Sequence, residues 1–234
     1  MGRSASRAAP QSGRRLVPLT GLQREVAAVA LKVAAAHGFV LGGGNALILH
    51  GIVDRYTADV DLMTDRAEGV KAATEAVDEA LRAAGFEVER QDQSSGLAEM
   101  FYGFDTGLAE WLITGPGGEQ TVLQITHFDR DRAPVQMAIG PVLNPLDAIA
   151  SKVRAFVTRA EERDAIDVAA ALERYTVDEL ITLARQLEPG LADEDFIDAG
   201  QRLDRLNATV FRRYGLSSDD VARLKERFAA WPRG

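Results

Sequence analysis

The sequence predicts an α+β fold: a mixed sheet with flanking helices, followed by a C-terminal helical bundle. Three observations carry this reading. Residues 39–139 hold short apolar or alternating segments separated by glycine turns, the pattern of strands. Two amphipathic segments with helical spacing, at 20–37 and 68–84, are set among them. From Asn144 onward the strand patterns stop, and one helical pattern follows another to the end.

The elements follow in order. Thr20 to His37 carries Leu22, Val26, Val29, Ala30 and Val33 at helical spacing, with Thr20 as N-cap and Gly38 as stop. Phe39-Val40-Leu41 is a short apolar strand that runs into Gly42-Gly43-Gly44. Asn45 to His50 has helical composition, and Asn45 near its start is expected to offer its side chain to free backbone N–H groups. Ala58 to Leu62 alternates acid and apolar residues, which is strand periodicity. Glu68 to Ala84 buries Val70, Ala73, Val77, Ala80 and Leu81, and Gly85 ends it. Strand candidates then follow at 86–88, 98–104, 109–113, 120–128 and 135–139. The segments at 109–113 and 120–128 form a hairpin around Gly115-Pro116-Gly117-Gly118. Helices are expected at 145–158, 161–175, 177–187, 193–206 and 218–231, with Pro145 suited to a first turn.

Bulk properties narrow the class. The 234 residues are 46% hydrophobic and 26% charged, ordinary for a globular chain with one good core and a smaller companion. No apolar run approaches the roughly twenty residues that span a bilayer, so no membrane partner is expected and the cytoplasm is the simplest address. With no cysteine there is neither a disulfide framework nor a thiolate nucleophile. The net charge of −8 leaves room only for a local basic patch, which argues against strong non-specific grip on nucleic acid.

The chemistry concentrates between Phe39 and Leu62. Consecutive glycines let the backbone bend sharply and let another group approach closely. The N–H groups at a glycine turn opening a helix suit an anion such as phosphate. Downstream, Asp59 and Asp61 are two apart on a strand and share a face. Two carboxylates side by side repel unless a cation neutralises them, and a hard divalent cation takes a few carboxylates together with substrate phosphates. The glycine turn and the paired acids together describe a site for a nucleoside triphosphate.

This stretch resembles the polymerase-β-like nucleotidyltransferases, and most closely the AbiEii/AbiGii toxin family. Gly43-Gly44-Asn45-Ala46-Leu47 is similar to that family's G-G-S/T-A-L start, with Asn45 in place of a hydroxyl. Arg55-x-Thr57-x-Asp59-x-Asp61 is similar to its Arg-x-Ser/Thr and D-x-D run. The helical half resembles the family again, in a helix with Lys152 and in the following Arg163-Asp164-Ala165-Ile166-Asp167. The resemblance implies a polymerase-β-like nucleotidyltransferase sheet; residues 1–16, rich in Arg, Ser, Ala and Gly without periodicity, read as a disordered basic tail. Residues 17–143 would be the catalytic core and 144–234 a helical domain that completes the active site.

The implied activity moves a nucleotide from an NTP to an acceptor hydroxyl and releases pyrophosphate. Asp59 and Asp61 would hold Mg²⁺, with Mn²⁺ as a substitute. Gly43, Gly44, Asn45, Arg55, Thr57, Arg163 and Asp164 would seat the nucleotide. Lys152 would face charge that develops as pyrophosphate leaves, and Asp167 would orient it or act as a base. By spacing alone, Asp164 and Asp167 share a helix face. The implied biology is a toxin that modifies the tRNA acceptor end and is paired with a separately encoded antitoxin. The residues leave two other readings open, a small-molecule acceptor and a non-catalytic nucleotide- or partner-binding module. Many polymerase-β-like enzymes carry a third carboxylate on a later strand, whereas Gln124 stands at that place here.

Overall fold

The computed structural model describes residues 19–91, 107–159 and 161–234. The expected tail at 1–16 and the strand candidate at 98–104 lie outside them. Helix α1 (Gly21–Ala34) starts at a capping box in which Thr20 and Gln23 satisfy one another's backbone N–H groups. A 3₁₀ turn, Ala35–His37, continues it to Gly38, whose φ of 82° ends the helix as expected. The chain then runs through β1 (Val40–Leu41), α2 (Gly43–Leu49) and β2 (Asp59–Thr64). After these come α3 (Gly69–Ala83) and the strands β3 (Glu87–Arg90), β4 (Leu108–Thr114) and β5 (Gln120–His127).

The seven strands form one mixed sheet in the order β3-β4-β5-β2-β1-β7-β6, with β6 at Val135–Met137 and β7 at Gly140–Val142. Strand β2, with the two acids, lies fourth of seven, paired parallel to β5 and antiparallel to β1. The single strand expected at 135–139 is instead a hairpin. Gly140, at φ 125°, reverses the chain, and β7 pairs parallel with β1 through Leu41 and Val142. Pro141 hides β7 from a sequence reading, since proline demotes a strand signal.

Alternation along the strands gives the sheet two unlike faces. On β2, Val60 and Leu62 are fully buried, together with Leu123 and Ile125 of β5 and Ala109, Trp111 and Ile113 of β4. Helices α1 and α3 pack over these residues. The other face carries Asp59, Asp61 and Met63, all partly exposed.

The helical half comprises α4 (Pro145–Thr158), α5 (Glu162–Ala171), α6 (Val177–Leu187), α7 (Asp193–Arg205) and α8 (Ser218–Arg227). Asn144 caps α4 ahead of Pro145, where a missing N–H costs nothing. A 3₁₀ segment, Ala208–Tyr214, precedes α8 and had no signal in the sequence. Helix α4 ties the halves together. Its buried stripe of Ile149, Val153 and Phe156 joins the core, where Phe156 packs on Phe228 and Trp231, each at a ring separation of 5.2 Å. An adjacent stripe of Lys152, Ala155 and Arg159 borders the cleft above the sheet.

Candidate active site

The cleft has a volume of about 550 Å³ and lies between the acidic face of β2 and the helices α4 and α5. Gly43, Gly44, Arg55, Thr57, Asp59, Asp61, Lys152 and Arg163 all line it, brought together from four segments of chain.

Strand β2 sets the two acids side by side on its open face. Asp61 keeps a little exposed surface but is walled in by protein. That desolvation pushes its carboxyl above the ordinary value, neighbouring Asp59 adds to the rise, and Lys152 opposes it. The glycine run lies directly against this acid. Gly42 N–H donates to the Asp61 carbonyl at 2.8 Å. A Cβ on Gly43 would fall 1.8 Å from Asp61 Oδ2, and its φ of 57° also disfavours any side chain. Glycine is therefore required at 43 by a close approach as well as by a turn.

Asn45 departs from the expectation that it offers its side chain to N–H groups at the helix start. Helix α2 begins at Gly43 with no side-chain cap, and Asn45 is fully buried, with Nδ2 donating to Asp59 O at 2.8 Å. It thus fastens α2 to the strand that carries the acids. Its Oδ1 is buried without a hydrogen-bond partner among the described residues.

The positive wall is held from below by α5. Asp164 and Asp167, on one face of that helix, are almost wholly buried. Asp167 accepts two hydrogen bonds from Arg55, at 2.6 Å from Nε and 2.7 Å from Nη2. Burial by itself would lower the Arg55 pKa, but the Asp167 bonds and charge outweigh it and raise it above the ordinary value. Asp164 receives a matching pair from Arg159, at 2.8 and 3.0 Å, and that pairing raises Arg159. Lys152 Nζ stands over both carboxylates, 3.5 Å from Asp167 and 3.8 Å from Asp164. Both Asp167 oxygens are thus committed to cations. Arg163 lies apart from this network, with Nε 2.8 Å from Glu161 and Nη1 3.9 Å from Asp59.

Several lining residues were invisible in the sequence. Arg154 and Arg159 lie on α4 beyond Lys152, and Arg213 and Tyr214 come from the 3₁₀ segment. Tyr56, the most exposed large hydrophobic side chain among the described residues at 61%, sits at the rim. For Arg159 there was only a faint signal, an arginine five residues before Asp164. For Arg213 and Tyr214 there was none, since only the fold returns them to β2. Gln124 lines the floor, in register with Asp61 across the β2–β5 pair.

The donor set fits a divalent cation. Two carboxylates share one face, one of them desolvated, and no Cβ crowds them on the Gly43 side. Among the described residues no cluster of three or more His, Cys, Asp or Glu side chains occurs that could hold a metal alone. That suits a hard ion whose remaining ligands are substrate oxygens.

Comparison with known proteins agrees with this geometry. The profile of the nucleotidyl transferase AbiEii toxin family, described as a type IV toxin–antitoxin system, matches residues 26–230. No curated protein sequence matches the chain. Among solved structures, MenT4, a nucleotidyltransferase toxin from Mycobacterium tuberculosis, is similar at a TM-score of 0.53 and 18% identity. That match covers 89% of this chain and 82% of MenT4. JHP933 from Helicobacter pylori is similar at a TM-score of 0.52 and 14% identity, covering 89% of this chain and 91% of that one. At these identities the solved structures bear on the fold, and the family profile bears on the activity. Nucleotidyltransferases of this kind generally use divalent metal ions. With the profile spanning the glycine run, the paired acids and the cation wall alike, the chain belongs to the AbiEii nucleotidyltransferase toxin family.

Proposed function

We propose that this toxin transfers a nucleotide from an NTP to a hydroxyl at the 3′ acceptor end of tRNA, in a reaction dependent on Mg²⁺. The observation that carries the proposal is the facing of charges across one cleft. Asp59 and Asp61 stand on the sheet side, and Arg55, Lys152, Arg154, Arg159, Arg163 and Arg213 line the rest. Six cations in the cleft of a chain of net charge −8 suit a polyanionic substrate.

Each residue takes a role that its surroundings allow. Asp59 and Asp61 would hold the metal, which would supply Lewis-acid activation of the attacking hydroxyl and offset phosphate charge. The acceptor hydroxyl gives up its proton to solvent as its oxygen bonds to the α-phosphorus, the bond from that phosphorus to the oxygen bridging to the β-phosphorus breaks, and pyrophosphate departs. Lys152 and Arg55 offset the charge that gathers on the leaving group. Asp167 and Asp164 hold those cations in place and so act as positioning residues, since their oxygens are taken up by Arg55, Arg159 and Lys152. Gly43 and Gly44 give the triphosphate room beside Asp61. Thr57 lines the cleft, and its carbonyl accepts from Gln23 at 2.6 Å, which anchors that stretch to α1. Asn45 acts through the α2–β2 link, away from the phosphates.

A cationic small molecule would be drawn to an acidic surface, but the cleft itself is basic, so the anionic acceptor is favoured. A separately encoded antitoxin, which the family suggests, is the protein partner we propose. The test is to incubate the protein with each labelled NTP, Mg²⁺, and either total tRNA or small hydroxyl acceptors. Label in tRNA, lost in Asp59→Asn, supports the proposal. Label only in small acceptors overturns the tRNA assignment, and label in neither overturns transfer.

A further inference from the structure

The strand register lines up three polar side chains on the open face of the sheet. Asp61 of β2 is opposite Gln124 of β5, and Gln124 is opposite Glu110 of β4. Side chains that oppose one another across adjacent strands meet on the same face. Gln124 Nε2 donates to Glu110 Oε2, and Gln124 also borders the cleft. The row therefore runs from Glu110, through an amide, to the walled-in carboxyl of Asp61.

The two ends of that amide are chemically distinct. An ionised carboxylate has only acceptors, so the atom it holds must be the amide nitrogen. With Nε2 committed to the β4 side, Oε1 is the end left for the cleft. We infer that Glu110 fixes the Gln124 amide so that Oε1 serves, beside Asp59 and Asp61, as a third and uncharged oxygen ligand of the divalent cation. This rests on the metal reading under the proposed function. Glu110 is then a positioning residue that acts through Gln124.

The arrangement has a physical purpose. Asp61 is already desolvated next to Asp59, and a further carboxylate there would add repulsion to a crowded anionic site. An amide oxygen completes the ligand set without charge. It leaves the site short of negative charge until triphosphate oxygens arrive, so metal and nucleotide bind best together. Partners behind a ligand hold its orientation, and losing one typically weakens metal affinity by about 10- to 100-fold.

The experiment measures Mn²⁺ binding to the full chain without nucleotide, by electron paramagnetic resonance of free Mn²⁺, with melting in EDTA as the check on folding. Glu110→Ala should weaken Mn²⁺ by roughly tenfold or more. Glu110→Gln, which keeps a hydrogen-bonding group but no longer dictates which end of Gln124 it holds, should weaken it less. The paired exchange Glu110→Gln with Gln124→Glu keeps the cross-strand bond with its polarity reversed and sets a carboxylate beside Asp61. It should bind Mn²⁺ more tightly than wild type. Unchanged affinity in Glu110→Ala, or wild-type affinity in the exchange, would reduce the pair to a sheet contact and overturn the inference. Asp61→Asn separates the two readings. If it removes Mn²⁺ binding while the Gln124 exchange does nothing, only this inference falls. If Asp61→Asn also leaves binding intact, the metal site itself falls, and the inference with it.

Discussion

At Asp61 the needs of folding and of function conflict. The carboxyl is desolvated beside another acid, so its folded pKa lies above the ordinary 3.8, and its ionised form works against the fold. The sign follows from linkage. Between 3.8 and the raised value the folded state binds more protons than the unfolded one, so the Asp61 contribution to stability falls as pH rises through that window. Above the raised value the strain is fully present unless a cation relieves it. Asp61→Asn should therefore melt at the same or a higher temperature than wild type in EDTA at pH 7, and lose the gain that Mg²⁺ gives wild type. Calorimetry with and without Mg²⁺ checks both. A lower melting temperature for Asp61→Asn in EDTA would mean that attraction to Lys152 exceeds the desolvation, and the conflict would not exist. Gly43 belongs to the same problem, because only a residue without Cβ lets α2 start against that carboxyl.

Helices α4 and α5 work as a pair, one carrying cations and the other holding them. The ion pair of Arg55 and Asp167 is buried, with side-chain exposures of 8% and 0%. Removing one partner of such a pair strands a buried charge and costs about 3–5 kcal/mol. Asp167→Ala should be strongly destabilised, and its activity loss should accompany the loss of fold. Lys152→Ala should separate the two effects, because Arg55 and Arg159 still neutralise the acids beneath it. Stability should move by about 1 kcal/mol or less, while kcat falls roughly 10²-fold, the scale of one strong electrostatic contact. Lys152→Arg should recover part of it, since a planar fork replaces a compact charge. Melting curves and steady-state kinetics on the three variants decide this, and wild-type turnover in both Lys152 variants would make the lysine surface decoration. These two elements also mark how far the sequence could be read. Amphipathic spacing revealed the α4 and α5 helices and placed Asp164 and Asp167 on one face. It could not reveal that Arg55, 112 residues away along the chain and in no local pattern, would be the group that Asp167 grips. The same spacing logic missed β7, where proline masks a strand, and the 3₁₀ segment with Arg213 and Tyr214, where no apolar period exists.

Across the whole molecule, charge is segregated. The chain carries a net −8, yet its cleft gathers six cations, three of which, Arg55, Lys152 and Arg159, are neutralised from beneath by buried acids. Arg154, Arg159 and Arg213 continue the basic surface along α4 and the 3₁₀ segment, and the side chain of Arg213 is 63% exposed. Elsewhere the acidic surface repels a polyanion, so an RNA acceptor would be held by few contacts, confined to this path. Binding through about three phosphates of a single strand gives a log–log salt slope near −2, shallower than that of an extended nucleic-acid interface. At saturating NTP, kcat/KM for tRNA should follow that slope between low and moderate salt, whereas an uncharged hydroxyl acceptor should show almost none. Arg213→Ala should lower the slope by roughly 0.7, one contact's share, and leave transfer to the uncharged acceptor unchanged. If tRNA labelling is flat with salt, or Arg213→Ala leaves its slope intact, the basic path serves the triphosphate alone, and the acceptor must reach the α-phosphate from another side.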